Sequence, residues 1–530
     1  MKQMTRRKML ALVGCAAPAL SLRNAFSQYP EPNRYGINLT KGPFQATIES
    51  LAAYTIPDWF ADAKFGIWSH WGPQSAIGDG DWYARNMYIQ GHPQYEYHLK
   101  RFGPQSKIGY KDLIPLFTAT RWNPEHLMDL YQKAGAKYFV SMGVHHDNYD
   151  MWNSKYQPRW NSVAIGPHKD IVGLWAAAAR RRGMRFGVSE HLGRSYDWFA
   201  PAHLADKTGP YSGIPYDGAD PAYADLYHNY FAFPAGFAQS IAAKDNENIL
   251  TPEMKLNYFN RIKDLLDQHQ PDILYTDGHI RIGEYSYGVI AELYNVAPVS
   301  NSNRTEGVYF SKAKDDCAIG TCVLDRERGV SDGIWPVPWQ TDTCVGQWHY
   351  KEGVQYKTAK QVIDLLVDIV SKNGNLLLNF PLPASGELDS EELKTLNGIT
   401  EWMNVNGEGI FSTRPWKVFG EGPSVHAATP SKDFDQNERK KGSLGPRDIR
   451  YASKGKTIYA FVQGWPKGQL VLQSLATSSS LQSPKVHAVW MLGQSQPLQF
   501  TQDGTGLALS LGGERPASAE IGIALRIATA

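Results

Sequence analysis

Four short apolar runs in the first part of the chain end in residues that carry chemistry: Phe65-Gly66-Ile67-Trp68-Ser69-His70, Phe139-Val140-Ser141-Met142-Gly143-Val144-His145-His146-Asp147, Phe186-Gly187-Val188-Ser189-Glu190-His191 and Ile273-Leu274-Tyr275-Thr276-Asp277-Gly278. Such runs read as buried strands, predicted here at 137–144, 185–191 and 273–276 among others. Between them lie helical patterns: 124–134 with a Gly135 stop, 171–182 with a basic C-terminal end, and 359–371, which precedes Asn373-Gly374 and the apolar Leu376-Leu377-Leu378. The β-then-α order from about 57 to about 416 predicts an α/β fold, a (β/α)8-like barrel with long loops. A doubly wound open sheet is the competitor, but no Gly-rich phosphate loop follows an early strand. At the C-terminal ends of barrel strands, the four endings would share one pocket.

Past Trp416 the pattern changes. The stretch 431–448 is polar and reads as a mobile loop, and the runs 458–462, 470–472, 486–490 and 507–509 are short and bounded by Gly, Pro or Ser, as in an all-β sandwich. No internal repeat or low-complexity tract is evident. At the other end, Thr5-Arg6-Arg7-Lys8-Met9-Leu10 is a twin-arginine pattern leading into an apolar run and a small-residue site at Ala25-Phe26-Ser27. Residues 1–27 are therefore expected to be an export signal, 28–416 the barrel and 417–530 the sandwich. Leu12-Val13-Gly14-Cys15 also resembles a lipoprotein site, but the apolar run before it is short. No later segment has the roughly 18 uninterrupted apolar residues of a membrane span. The processed protein is expected in the periplasm or secreted, free of the membrane.

Composition narrows the partners. With 54 basic and 52 acidic residues the net charge is +2, which offers no general attraction to nucleic acid or anionic lipid. The 16 Trp and 28 Tyr suit both sugar stacking and core filling. Cys317, Cys322 and Cys344 remain after processing; in an oxidising compartment Cys317 and Cys322 could close a small loop or stay thiols, and a zinc site would want more ligands nearby.

Taken alone, Asp277-Gly278 is more often a turn than a catalytic site; its company points to catalysis. His145-His146-Asp147 invites a metal, yet neighbours on a strand face opposite sides, so hydrogen bonds to vicinal sugar hydroxyls suit them better. Neither metal nor organic cofactor is expected.

These residues carry a resemblance. Ala63-Lys64-Phe65-Gly66-Ile67-Trp68-Ser69-His70-Trp71-Gly72 with Asp81-Trp82-Tyr83, Ala136-Lys137-Tyr138 running into His145-His146-Asp147, Trp152-Asn153-Ser154-Lys155-Tyr156, the segment 372–379, Asn406-Gly407-Glu408 and Thr413-Arg414-Pro415-Trp416 together resemble glycoside hydrolase family 29, the retaining α-L-fucosidases. The resemblance implies exo-hydrolysis of terminal α-L-fucosides of a glycan by double displacement, with Asp277 as nucleophile and a second carboxyl as acid/base. Glu327, in Leu324-Asp325-Arg326-Glu327-Arg328-Gly329, lies at the expected separation; Glu306 and Glu190 are alternatives, and pairing with the flanking arginines is the plainer reading of Glu327. It further implies hydroxyl contacts from His70, Trp82, His145 and His146, with Arg304 as the arginine after the nucleophile strand. Asp81 stands where many relatives have glutamate, Tyr275 where tryptophan is common and His191 where serine is common, exchanges that bear on the C5 substituent of the sugar. Trp335, Trp339 and Trp348 are expected on a rim loop, stacking on the aglycone or packing, while Trp71, Trp152 and Trp402 read as core. The rival readings are an enzyme for another α-L-hexoside, such as an α-L-galactoside or α-L-glucoside, a catalytically silent sugar-binding protein, and a chelator-sensitive metallohydrolase built on His145, His146 and Asp147.

Overall fold

The computed structural model describes residues 36–530 apart from 231, 232, 234, 245–249, 279, 281, 314–319, 427–437, 439–443, 513 and 514. The expected export signal, Cys317 and most of the polar stretch 431–448 lie outside the described residues. Eight parallel strands close into a barrel in chain order: β1 (Phe65–Ser69), β2 (Tyr138–Val144), β3 (Arg185–Glu190), β4 (Ile273–Thr276), β5 (Val308–Ser311), β6 (Val323–Glu327), β7 (Trp339–Cys344) and β8 (Gly374–Asn379). Closure is made by β8 against β1, where Leu377 pairs with Gly66. A side chain at Gly66 would meet the Tyr138 ring at 2.3 Å, so this close approach of β1 to β2 requires glycine. Covered inside and out, the strands of β1, β2, β4, β5 and β8 are buried along their whole length, which is why most read as unbroken apolar runs.

The outer helices start and stop where local chemistry dictates. Asn123 accepts from the His126 amide at 3.1 Å to start Pro124–Lys133, which ends before Gly135 at φ +95°. Asp170 accepts from the Gly173 amide at 2.8 Å to start Ile171–Arg181, and Thr358 with Gln361 forms a reciprocal cap on Ala359–Ser371. All three agree with the expected helices to within a residue.

The C-terminal domain packs two antiparallel sheets. One has the order β13-β16-β11-β10-β9, from β9 (Arg414–Glu421), β10 (Ile449–Lys454), β11 (Thr457–Val462), β13 (Val486–Met491) and β16 (Ile523–Thr529); the other is β12-β15-β14, from β12 (Leu470–Leu472), β14 (Gln499–Gln502) and β15 (Leu507–Ser510). Because β9 begins at Arg414 and pairs with β10, the boundary expected at 416/417 falls inside a strand. The five-stranded sheet seals one flank of the barrel: Trp402 Nε1 donates to the Gly522 carbonyl at 2.9 Å, and Arg450 Nε to Asp368 at 2.5 Å. Cys322 is disulfide-bonded and Cys344 is a buried free thiol. Among the described residues no helix is long and apolar enough to cross a membrane.

Candidate active site

One face of the barrel gathers the strand ends. His70 follows β1, His145 and His146 follow β2, His191 follows β3, Asp277 follows β4, Lys312 follows β5 and Glu327 ends β6. Asp81 and Trp82 come from the loop after β1, and Trp348 and His349 from the loop after β7. Asn379, at the end of β8, ties two of these together, accepting from the His70 amide at 2.7 Å and donating to the Trp348 carbonyl at 2.9 Å.

Lys312 is the electrostatic centre. Its ammonium lies 2.8 Å from Asp277 Oδ1, 2.9 Å from Glu327 Oε2 and 3.7 Å from Asp342 Oδ2. Sharing one ammonium sets the Asp277 and Glu327 carboxyls side by side. Burial alone would keep the Asp277 carboxyl neutral. Lys312, the 3.5 Å approach of His146 Nε2 and the nearby His191 outweigh burial and hold its pKa well below the ordinary carboxylate range. Conversely, burial disfavours the charged form of Lys312, and the carboxylates around it reverse that, raising its pKa well above the ordinary value.

Five histidines surround this centre in edge-to-face contact: His70, His145, His146, His191 and His349, with the His70 ring 4.9 Å from His145 and 4.6 Å from His349. Their partners fix the tautomers. The Gln74 amide donates to His145 Nδ1 at 2.9 Å, leaving Nε2 as the N–H of that ring, whereas His146 Nδ1 donates to the His191 carbonyl at 2.6 Å and its Nε2 faces Asp277 Oδ2 at 3.5 Å. Burial first, then the neighbouring imidazoles, pushes His70 and His145 well below the usual histidine range; for His191 burial does the same against the pull of Asp277. Both ring nitrogens of His70, both of His191 and Nε2 of His349 are buried without a hydrogen-bond partner. Asp81 accepts from His349 Nδ1 at 2.6 Å, and the Trp82 ring, at φ +62°, stands edge-on to His146 at 6.0 Å.

Beside the histidines is an apolar wall. The Trp68 ring lies 4.7 Å from Tyr275 and 5.5 Å from Trp348, and the polar groups of two of these rings are used elsewhere: Trp68 Nε1 donates to Ser189 Oγ at 3.2 Å and Tyr275 OH to Asp342 Oδ2 at 2.8 Å. Tyr275 thus lies under the pocket as an apolar face rather than a polar contact.

Of the three acid/base candidates, only Glu327 reaches the pocket. Glu190 is buried beneath it, accepting from Tyr258 OH and Thr276 Oγ1, each at 2.7 Å, and from the Leu192 amide at 3.0 Å. Glu306 precedes β5 at the opposite end of the barrel, paired with Arg185 at 2.9 Å. Three other expectations are corrected. Arg304 also precedes β5, where it is exposed and its nearest polar partner is Thr55 Oγ1 at 3.4 Å; the cation beside Asp277 is Lys312, eight residues later in sequence and beyond the far end of β5. Trp339 starts β7 at the same opposite end, buried, its Nε1 donating to the Lys372 carbonyl at 3.0 Å, and Trp335 packs there too, its amide donating to that same carbonyl. Of the three tryptophans expected on the rim, Trp348 alone is at the pocket. Trp71, Trp152 and Trp402 are core.

Among the described residues, two groups of side chains have ligand atoms within 4.8 Å of one another and could hold an ion: His70, Asp81, His145 and His349, and His145, His146 and His191. Asp147 belongs to neither; it turns away to accept from Tyr110 OH at 2.6 Å. Sequence reasoning missed Lys312 and His349. Lys312 ends an apolar run like the others, Val308-Tyr309-Phe310-Ser311, which was a usable signal; His349 sits in a loop and carries none.

Two carboxyls about one cation at the C-terminal face of a closed barrel, beside buried imidazoles of which His70, His191 and His349 keep unpartnered nitrogens, fit chemistry on a polyhydroxylated ligand. The comparisons agree. The family model described as alpha-L-fucosidase matches residues 35–408, and that of the alpha-L-fucosidase C-terminal domain matches 443–528. The chain belongs to the α-L-fucosidase family. It is 28% identical to tissue alpha-L-fucosidase of Rattus norvegicus over 466 residues, covering 86% of this chain and 85% of the relative, and 29% identical to plasma alpha-L-fucosidase of Homo sapiens, covering 86% of each. Among solved structures, a Thermotoga maritima alpha-fucosidase in complex with fucose superposes with a TM-score of 0.67 at 24% identity, covering 91% of this chain and all of the other, a likeness of fold.

Proposed function

We propose that the protein is an exo-acting retaining α-L-fucosidase that works through a covalent glycosyl-enzyme on Asp277. The observation carrying this reading is the pairing of Asp277 and Glu327 on Lys312 at the floor of a pocket whose histidine nitrogens lack partners. A pyranose with vicinal hydroxyls supplies those partners: the nitrogens of His70 and His191 donate to or accept from its hydroxyls, and His145 Nε2–H donates to another. The aromatic wall of Trp68, Tyr275 and Trp348 suits the C5 methyl of a 6-deoxy sugar, because the hydroxymethyl group of an α-L-galactoside would set an oxygen against ring faces where Trp68 Nε1 and Tyr275 OH are already engaged.

In the first step an Asp277 oxygen attacks the anomeric carbon while the bond to the aglycone oxygen breaks and Glu327 gives that oxygen its proton. In the second, Glu327 takes a proton from water as the water oxygen displaces Asp277, returning both carboxyls to their starting states. Esterification removes the charge of Asp277, so Lys312 then favours the ionised Glu327 at the moment it must act as a base. The proposed export of the protein rests on Arg6-Arg7 and is read by cell fractionation of the wild type and of Arg6→Lys/Arg7→Lys, the latter retained in the cytoplasm.

The test is hydrolysis of aryl α-L-fucoside and α-L-galactoside, with and without chelator, and product anomers read by NMR. The wild type should prefer the fucoside, release the α-anomer first and ignore chelator. Asp277→Ala should lose about a thousandfold or more in kcat, and azide should restore turnover of activated substrates by Glu327→Ala. Inverted product, or near-normal activity of Asp277→Ala, would sink the reading; loss of activity to chelator would move it to the histidine groups as metal ligands.

A further inference from the structure

Beneath the pocket, β6 and β7 bring two more carboxyls together in the barrel interior, Asp325 and Asp342, both fully buried. Each has one oxygen with a donor. Gln340 Nε2 donates to Asp325 Oδ1 at 2.9 Å, the amide being oriented by Tyr138 OH, which donates to its Oε1 at 2.9 Å. Tyr275 OH donates to Asp342 Oδ2 at 2.8 Å. The other two oxygens, Asp325 Oδ2 and Asp342 Oδ1, are buried without a donor, and the register that pairs Asp325 with Gln340 and Glu327 with Asp342 puts the two carboxyls on the same face of adjacent strands. Two ionised carboxylates in that position would repel each other in a dry interior and leave both oxygens unsatisfied. One proton removes both faults.

We propose that Asp325 and Asp342 share a single proton, carried as an O–H on Asp325 that donates to Asp342 Oδ1, and that the pair is a positioning device for Lys312 and through it for Asp277 and Glu327. The role assigned to it rests on the two-carboxylate reading above. The proton belongs on Asp325 because the charge belongs on Asp342, which has the Tyr275 hydroxyl and the Lys312 ammonium beside it, whereas Asp325 has only a neutral amide. The titration directions agree: burial and then the charge of Asp342 raise Asp325 well above the usual range, and burial, opposed by Lys312, pushes Asp342 up to about 6. The titratable groups facing the pair are Tyr138 from β2, Tyr275 from β4, Lys312 beyond β5 and Glu327 at the end of β6. Carrying one negative charge, the pair holds the ammonium from below. When Asp277 is esterified and neutral, Asp342 keeps Lys312 against Glu327, so the cation does not relax away between the two steps.

Asparagine at 325 replaces the O–H with an N–H and keeps an oxygen for Gln340, whereas alanine removes both. In hydrolysis of aryl α-L-fucoside, Asp325→Asn should therefore keep at least tenfold more kcat/KM than Asp325→Ala. Asp342→Asn should lose about tenfold or more in kcat with a smaller change in KM. Its basic limb of kcat/KM should move to lower pH, because a negative charge beside Glu327 favours the protonated acid and its removal disfavours it. Infrared spectra supply a readout free of turnover: the wild type at neutral pH should show the carbonyl band of a buried carboxylic acid that disappears in Asp325→Asn and persists in Asp277→Asn. A spectrum unchanged by Asp325→Asn, or equal losses of kcat/KM in the asparagine and alanine variants, overturns the shared proton. If the wild type hydrolyses no α-L-glycoside while the band behaves as described, the proton stands and the positioning role falls with the enzymatic reading.

Discussion

The two ends of the barrel use the same residue types in opposite ways. At the N-terminal end Arg185 bonds Asp272 at 2.7 Å and Glu306 at 2.9 Å, Asp272 also accepts from the Phe186 amide at 2.9 Å, and the Arg185 guanidinium covers the Trp59 ring at 5.0 Å. Each charge in that cluster has a protein partner. At the C-terminal end Lys312 is shared among three carboxylates, and five imidazole nitrogens on His70, His191 and His349 have no hydrogen-bond partner. A charge cluster whose members are satisfied holds the fold; a cluster of buried, unsatisfied imidazoles around a shared cation is completed by a ligand. Activity and stability should therefore respond oppositely to substitution at the two ends.

The largest effect is expected from Lys312→Met. It deprives Asp277 and Glu327 of their common cation, so kcat/KM on an aryl α-L-fucoside should fall about 10²- to 10³-fold. Lys312→Arg, which preserves the charge, should recover most of the loss. A methionine variant within threefold of wild type would mean that Lys312 does not organise the pair.

Why Lys312 escaped the sequence reading is instructive, given how much else was legible. The strands leading to His70, His145, His191 and Asp277 are apolar runs closed by a polar residue, so strand and site were visible together, and Gly135, the basic end of 171–182 and Asn373-Gly374 marked the ends of the helices between them. β5 is only Val308–Ser311, and the arginine implied by family resemblance was placed at Arg304, before the strand rather than after it. Four residues of strand span roughly 13 Å, so mistaking one end for the other moves a residue across the barrel. β7 failed for a different reason. Trp339-Gln340-Thr341-Asp342-Thr343-Cys344 is too polar to read as a buried strand, because Gln340 and Asp342 face the interior and are balanced there by Tyr138, Asp325, Tyr275 and Lys312, partners that only the folded barrel brings together. Read as a loop, it carried Trp335 and Trp339 to the rim in expectation. Glu327 was singled out through the family resemblance, and His349, in a loop, carried no such signal.

A second, smaller effect is expected at the other end. Arg185→Met breaks the pairs with Asp272 and Glu306 and leaves the buried Asp272 carboxylate with the Phe186 amide alone. Arg185 is about one-third exposed, which screens the charge, so the stability lost should be about 1–3 kcal/mol in denaturant unfolding, with kcat/KM within about twofold of wild type. A variant of normal stability but impaired turnover would break the contrast between the two ends.

The smallest effect, and the sharpest, concerns Arg304. If it bonded a sugar hydroxyl or oriented the nucleophile, Arg304→Ala would cost tenfold or more in kcat/KM, since a charge-assisted hydrogen bond in a dry site contributes about 1.5–3 kcal/mol. Its side chain is instead exposed and reaches only Thr55, at a marginal 3.4 Å, at the end of the barrel where Arg185 and Glu306 lie. An exposed hydrogen bond of that length is exchanged for water at almost no cost, so stability should stay within about 0.5 kcal/mol and kcat/KM should not change. The double variant Arg304→Ala/Lys312→Met should then match Lys312→Met alone, because sites at opposite ends of a barrel share no partner. Any deepening of the Lys312 defect by Arg304→Ala would show that charge at the N-terminal end is felt at the pocket, and that the two ends are not separate after all.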